Sequence, residues 1–188
     1  APLSIDPVRM TLPGFLKKHG YRTGLVGKWH LGLGEKGKPV DFNEDIQAGP
    51  LAVGFDYAYY FPATNDRVPC VYIENEKVVG LEADDPIKVS YTEELEGSIT
   101  SREYPELLKL RPHLGHNNSI VNGISRIGWM DGGKKARVDD VASGIAKAFE
   151  RFGNRLRTAG KVHDERGVIR NFAQHRDLTR EDRRRHEV

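Results

Sequence analysis

The fold is decided by the stretch Gly20-Tyr21-Arg22-Thr23-Gly24-Leu25-Val26-Gly27-Lys28-Trp29-His30-Leu31-Gly32. Its apolar centre favours a buried strand, and glycines punctuate both ends. Because successive side chains of a strand point to opposite faces, we expect Lys28 and His30 on one side and Trp29 on the other. A cation and an imidazole would then converge just past the carboxyl end of a strand, where open α/β sheets bind their ligands. Such a pair suits an anionic, oxygen-rich substrate.

The ten residues at positions 11–20 predict a short helix that leads into this strand. Thr11 suits an N-cap, Pro13 is tolerated in the first turn, and Gly20 suits a C-cap. The predicted buried stripe consists of Leu12, Phe15 and Leu16. We interpret His19 as a residue that caps the helix end rather than as a catalytic one. Helix, turn and strand form one αβ unit, which predicts a layered α/β domain.

The quoted stretch closely resembles the strand and loop of type I sulfatases, the arylsulfatase family with an alkaline-phosphatase-like fold. The hexapeptide Gly-Lys-Trp-His-Leu-Gly at its centre is rare in chance sequence. In that family the lysine binds the sulfate oxygens, and the histidine two residues later lies beside a formylglycine nucleophile. The resemblance therefore implies that Lys28 and His30 are catalytic and that Lys28 also binds substrate. The alternative is a surface lysine and a loop histidine that follow a core strand.

A second block, at residues 53–67, also resembles the sulfatases. Gly-Phe-Asp leads into an aromatic-rich segment, which predicts a strand, and a polar turn follows it. In the family the hydroxyl residue of this turn can donate a hydrogen bond to the substrate sulfate, and Thr64 is the matching position. The resemblance implies a substrate-binding role for Thr64. An ordinary turn residue that caps its own backbone is the alternative.

The rest of a sulfatase site is missing from the sequence. The family makes its formylglycine from the first residue of Cys/Ser-x-Pro-x-Arg, and no such pentapeptide is present; at residues 4–9 the proline falls three residues after the serine instead of two. Calcium is expected for a complete family enzyme, which holds it partly through an early Asp-Asp pair. Asp84-Asp85 follows the lysine motif instead of preceding it, so we interpret it as a pair of solvated turn acids. No metal ligand is assigned.

Other reactive side chains have structural interpretations. Cys70 lies in a predicted hairpin at residues 70–80 and is interpreted as a small buried hydrophobe. His113 and His116 flank a glycine, which favours exposed loop histidines over a metal pair. Residues 81–103 are polar and are expected to be irregular.

The composition limits the classes of partner. The net charge is +2 over 188 residues, so no global field favours nucleic acid or a membrane surface, and no apolar run approaches the ~20 residues of a membrane span. No signal peptide is recognised; a periplasmic or secreted location is expected for a complete sulfatase. Residues 1–160 are expected to form part of a sulfatase catalytic domain, with a helical stripe that begins at Val138. The segment at 161–188 is expected to be a solvated helix or a disordered tail, since 14 of its 28 residues are charged.

Three functional hypotheses follow. The resemblance covers about residues 3–150, a middle slice of a longer enzyme, and implies hydrolysis of sulfate esters, with sulfated carbohydrate as the substrate expected by analogy. Without the nucleophile motif and metal ligands, the chain alone is expected to be inactive. The alternatives are a module that binds sulfated glycans without turnover and a truncated product without function.

Overall fold

The computed structural model describes residues 1–64, 67–96, 98, 128–138, 151, 153 and 154. The chain divides into two compact units, Ala1–Phe152 and Gly153–Val188. The described residues belong to the first unit except Gly153 and Asn154. The domain boundary expected at residue 160 therefore stays a prediction. The helix expected from Val138 onward, the two loop histidines and the charged tail lie outside the described residues, apart from Val138, Arg151, Gly153 and Asn154.

The regular elements follow one another in a simple order. They are α1 (Leu12–Lys18), β1 (Gly24–Lys28), a 3-10 helix (Pro50–Val53), β2 (Tyr57–Phe61), β3 (Ile73–Glu74), β4 (Lys77–Val78), β5 (Lys88–Ser90) and β6 (Trp129–Asp131). Strands β1 to β4 form a sheet in that order, parallel between β1 and β2 and antiparallel between the later pairs. Strands β5 and β6 form a separate antiparallel pair. The predicted α/β class is confirmed. No helix of the described chain is long and apolar enough to cross a membrane.

Strand β2 is the centre of the core, because all five of its residues are buried. Its side chains alternate between two clusters, as the pleat of a strand requires. Ala58 and Tyr60 belong to the larger cluster, which includes Trp29 and Ile73. The smaller cluster consists of Tyr57, Tyr59, Phe61, Tyr72 and Val138. The buried strand β2 therefore holds β1 on one side and β3 on the other, and its parallel pairing with β1 extends to Lys28 at the end of the first strand.

Helix α1 lies where the sequence predicts it. Thr11 is the N-cap: its Oγ1 accepts a hydrogen bond from the amide of Gly14 at 3.1 Å and donates one to the Val53 carbonyl at 2.5 Å. His19 is the C-cap, one residue before the predicted Gly20, and its Nδ1 lies 2.9 Å from a helix carbonyl. The interpretation of His19 as a capping residue is confirmed.

The predicted buried face of α1 is wrong. Leu12 is 71% exposed and Phe15 is 48% exposed, and no residue of the helix is buried. The helix instead contacts the body where Gly14 approaches Gly54, so closely that a Cβ on Gly54 would lie 2.6 Å from the Gly14 nitrogen. Gly54 has a φ of 106°, which also favours glycine. A contact made by backbone atoms leaves no apolar stripe in the sequence, so periodicity indicated the opposite face.

Of the remaining predictions from the sequence, some are confirmed and one is wrong. The hairpin is confirmed as β3 and β4, and Cys70 is buried as expected, with 1% of its surface exposed. The region expected to be irregular contains β5, so that expectation is wrong there. Asp84 is exposed in its turn, but Asp85 links two segments, because its carboxylate accepts a hydrogen bond from the Lys134 amide at 2.6 Å.

Candidate functional site

The candidate site lies where β1 and β2 end side by side. Lys28, the last residue of β1, is opposite Phe61, the last residue of β2. The parallel ladder continues beyond both strands: the amide of Trp29 donates to the Phe61 carbonyl and the amide of His30 to the Pro62 carbonyl, each at 3.0 Å. The motif of the first strand and the turn after the second are therefore held at one edge of the sheet, as the sequence predicts for a ligand site.

Trp29 anchors the loop that begins at Lys28. Its side chain is 6% exposed and packs edge-on against Tyr60, with ring centroids 6.5 Å apart. The indole N–H donates to the Gly32 carbonyl at 2.6 Å, which closes the loop around His30. His30 itself has a left-handed φ of 60°, so strand alternation does not determine its direction. The buried indole thus anchors the chain between Lys28 and His30, the two exposed residues that precede and follow Trp29 in the sequence.

The ammonium group of Lys28 is exposed. In the part of the chain that the structure describes, its side chain forms no ion pair or hydrogen bond. Its positive charge is therefore not neutralised by another described group and can interact with an anion.

Thr64 lies in the turn that follows β2. The turn is closed by a hydrogen bond from the Arg67 amide to the Thr64 carbonyl at 3.1 Å. The hydroxyl oxygen of Thr64 is buried and has no hydrogen-bond partner among residues 1–64, 67–96 and the other described positions. A buried hydroxyl without a partner is unfavourable by about 1–3 kcal/mol. The Thr64 hydroxyl does not cap its own backbone there, and no described residue uses its hydrogen-bonding capacity.

A cavity of about 690 Å³ opens beside this edge of the sheet. Residues that line it include His30, Lys38, Phe42, Arg67 and Tyr91. Its volume falls in the range of small-molecule sites, roughly 300–1,000 Å³. His30 connects the cavity to the candidate site, whereas Lys28 and Thr64 are not among its lining residues.

A family model described as Sulfatase matches residues 4–111, which is more than half of the chain. The matched range includes Lys28, His30 and Thr64. The chain belongs to the sulfatase family.

Individual relatives agree with this assignment. The chain is 51% identical over 152 residues to an N-acetylgalactosamine-6-O-sulfatase of Bacteroides thetaiotaomicron, an alignment that covers 78% of this chain and 30% of that protein. It is 41% identical over 63 residues to the steryl-sulfatase of Mus musculus, covering 34% of this chain and 9% of the relative. Among solved structures, it matches one from work on the metabolism of multiple glycosaminoglycans by Bacteroides thetaiotaomicron. That match has a TM-score of 0.69 and 51% identity, and it covers 81% of this chain and 32% of the other.

This sulfatase chain thus spans about a third of the length of its bacterial relative. Within the described residues, no group of three or more His, Cys, Asp or Glu side chains could hold a metal ion. The described part therefore does not fit the calcium ion expected for a complete sulfatase.

Sequence reasoning on this sulfatase missed several residues around the site. Trp29 was placed on the opposite face from the functional pair, but its indole tether to Gly32 was not foreseen. Arg67 and Tyr91 line the cavity although neither belongs to the lysine motif. Arg67 is the last residue of the matched turn, three positions after Thr64, which is a local signal. The position of Tyr91 depends on the pairing of β5 with β6 about 40 residues later, which no local signal indicates.

Proposed function

We propose that this chain forms the sulfate-binding part of a sulfuric ester hydrolase that acts on a sulfated carbohydrate. The observation that carries the proposal is the juxtaposition of the motif at the end of β1 with the Thr64 turn at the end of β2, held by the continued parallel ladder. The sulfated N-acetylgalactosamine named for the bacterial relative supports the substrate class.

Each residue has a proposed role that follows from its chemistry. Lys28 binds the sulfate oxygens and offsets the negative charge that grows on them in the transition state, an interaction worth about 3 kcal/mol in comparable sites. Thr64 donates a hydrogen bond to the same group. His30 supplies a proton to the leaving oxygen, since an imidazole can hold a proton near neutral pH.

A segment-exchange enzyme tests this function. Residues 3–150 of this chain would replace the matched segment of the Bacteroides thetaiotaomicron sulfatase, and sulfate release from N-acetylgalactosamine 6-O-sulfate would be measured. We expect turnover that is lost on His30→Ala and retained on His19→Ala, a histidine that caps α1. A folded chimaera whose turnover survives His30→Ala would contradict the proposed role of His30.

A second candidate is a module that binds sulfated glycans without hydrolysing them. The absence of the Cys/Ser-x-Pro-x-Arg pentapeptide from the sequence favours it for the 188-residue chain alone. Binding of the sulfated sugar by that chain, combined with an inactive segment-exchange enzyme, would support this candidate over the hydrolase.

A further inference from the structure

Tyr91 stands out among the residues that line the cavity next to His30. It follows β5 directly, and 60% of its side chain is exposed. Large aromatic side chains contribute to binding when a ligand covers them, because they bury much apolar area and lose little conformational freedom. Neither the family motif nor the proposed sulfate ligands include Tyr91.

The ring of Tyr91 is held in place before any ligand arrives. Its hydroxyl donates a hydrogen bond to the Val68 carbonyl. Behind the ring lies Gly128, where a Cβ would come within 3.1 Å of Tyr91 Cδ1 and 2.5 Å of a Val68 methyl carbon. Burial raises the pKa of the Tyr91 hydroxyl, as does the neighbouring Cys70, while the charge of Arg67 partly opposes the shift. The phenol therefore stays protonated as a donor, and its hydrogen bond to Val68 is partly buried although the residue as a whole is 60% exposed.

The other walls of the cavity suit a sugar ring. Val40, Phe42 and Val89 contribute apolar surface, while His30 and Arg67 contribute polar groups. Small-molecule sites commonly combine an apolar lining with a few polar groups that orient the ligand. A pyranose presents C–H groups on its faces and hydroxyl groups around its rim, so it can contact both kinds of wall at once.

We propose that Tyr91 is the stacking platform of a pyranose subsite in this cavity. The subsite takes the sugar ring that carries the sulfate ester, with His30 at the junction between ring and ester. This assignment rests on the proposed sulfate site at Lys28 and Thr64, and it adds a determinant of the affinity for the sugar.

Binding to the 188-residue chain tests the subsite with two probes, inorganic sulfate and N-acetylgalactosamine 6-O-sulfate, titrated under NMR observation. We expect the sugar sulfate to bind more tightly than sulfate. Tyr91→Ala should weaken binding of the sugar sulfate about threefold to tenfold, the effect of one lost aromatic contact, and leave inorganic sulfate unaffected. Tyr91→Phe keeps the ring and should keep most of the affinity.

Matched variants separate the outcomes. Tyr21 is 63% exposed and does not line the cavity, so Tyr21→Ala should change neither affinity. If Lys28→Ala abolishes sulfate binding but Tyr91→Ala leaves the affinity for the sugar sulfate unchanged, the subsite proposal is overturned and the sulfate site is retained. Wild-type protein that binds neither probe would overturn the sulfate site and the subsite together. Equal weakening of both probes by Tyr91→Ala, with a lowered melting temperature, would reduce Tyr91 to a structural role and overturn the proposal.

Discussion

The two ends of the parallel pair β1–β2 differ in how their polar groups are used. At the amino end, the carboxylate of Asp56 accepts hydrogen bonds from the Thr23 amide at 3.0 Å and the Thr23 hydroxyl at 3.3 Å, and it forms an ion pair with Lys17 at 3.0 Å. At the carboxyl end, the Lys28 ammonium and the Thr64 hydroxyl have no described partner. At their amino ends the two strands thus carry polar groups that satisfy one another. At their carboxyl ends they carry groups without a described partner, which can receive a ligand.

This difference separates structural from functional polar residues without reference to a motif. Polar groups that satisfy one another stabilise the fold, because removing one leaves its buried partner unsatisfied. Polar groups that are held in place without a partner stabilise nothing until a ligand arrives. The amino end should therefore control stability and the carboxyl end affinity and turnover, and the predictions below test that division.

The largest effect is expected at Lys28. In the segment-exchange enzyme, Lys28→Ala should lower kcat/KM for the sugar sulfate about 100- to 1,000-fold, because the charge on the sulfate oxygens then develops without a counter-charge. Steady-state kinetics measure the loss. Lys17→Ala is the matched control at the other end and should change kcat/KM less than about twofold, since Lys17 lies far along the chain from the site motif and its 54%-exposed side chain contributes at most about 1 kcal/mol through its ion pair. Similar losses of kcat/KM for Lys28→Ala and Lys17→Ala would show that the two ends of the strand pair do not differ in function.

The reverse pattern is expected at Asp56. Asp56→Ala should lower the free energy of unfolding by about 1–3 kcal/mol, because the Thr23 amide loses its acceptor and the Thr23 hydroxyl keeps only the Gly54 carbonyl. Urea denaturation of the 188-residue chain measures the change. Affinity for inorganic sulfate, titrated under native conditions, should remain at the wild-type value. An unaltered midpoint, or a loss of sulfate binding by the folded variant, would show that the two ends are not independent.

The free energy of unfolding should depend on pH through Asp56 at the amino end. Burial raises the pKa of Asp56, but the hydrogen bonds from Thr23 and Lys17 outweigh it and hold the pKa below the ordinary 3.8. A lowered pKa in the folded state gives stability that is present above the unfolded value and is lost as pH falls through the folded value. The free energy of unfolding of wild type should therefore fall more steeply below about pH 3.8 than that of Asp56→Asn. Parallel pH profiles for the two proteins would contradict the assignment.

The smallest effect is expected at Thr64. Thr64→Val removes a hydroxyl that has no described partner, so the free energy of unfolding should stay equal or rise, while sulfate affinity falls about twofold to tenfold. Thr64→Ser should restore the affinity. Thr23→Val, the matched change at the amino end, should instead cost about 1 kcal/mol of stability and keep the affinity. A Thr64→Val protein that is less stable and binds sulfate normally would reverse the role of this residue.

The parts of the fold that the sequence predicted correctly are those with local signals. Strand β1 is bounded by glycines, β2 combines aromatic residues with a preceding Gly-Phe-Asp turn, and the hairpin tip at Asn75 adopts a φ of 57° that asparagine tolerates. Each signal lies within a few residues of the element that it defines. Local steric and hydrogen-bonding preferences were therefore enough to place these elements.

Contacts between distant segments could not be read in the same way. Residues 87–91 alternate apolar and polar side chains, which is a strand signal, but the partner of β5 lies about 40 residues later, where Met130 is opposite Val89. The orientation of α1 depends on a glycine-to-glycine approach. For the site, Lys28 and His30 were identifiable from one motif, whereas Tyr91 reaches the cavity only because β5 and Gly128 position its ring.

The buried indole of Trp29 allows the loop around His30 to be followed by tryptophan fluorescence. The chain has two tryptophans, so Trp129→Phe leaves a single tryptophan, which can be excited selectively over the tyrosines and whose N–H is bonded within that loop. Emission from a buried indole changes when water reaches it, and a quencher in solution has little access to a side chain that is 6% exposed. Opening of the loop would therefore register as a red shift and as faster quenching, in real time and without an attached label.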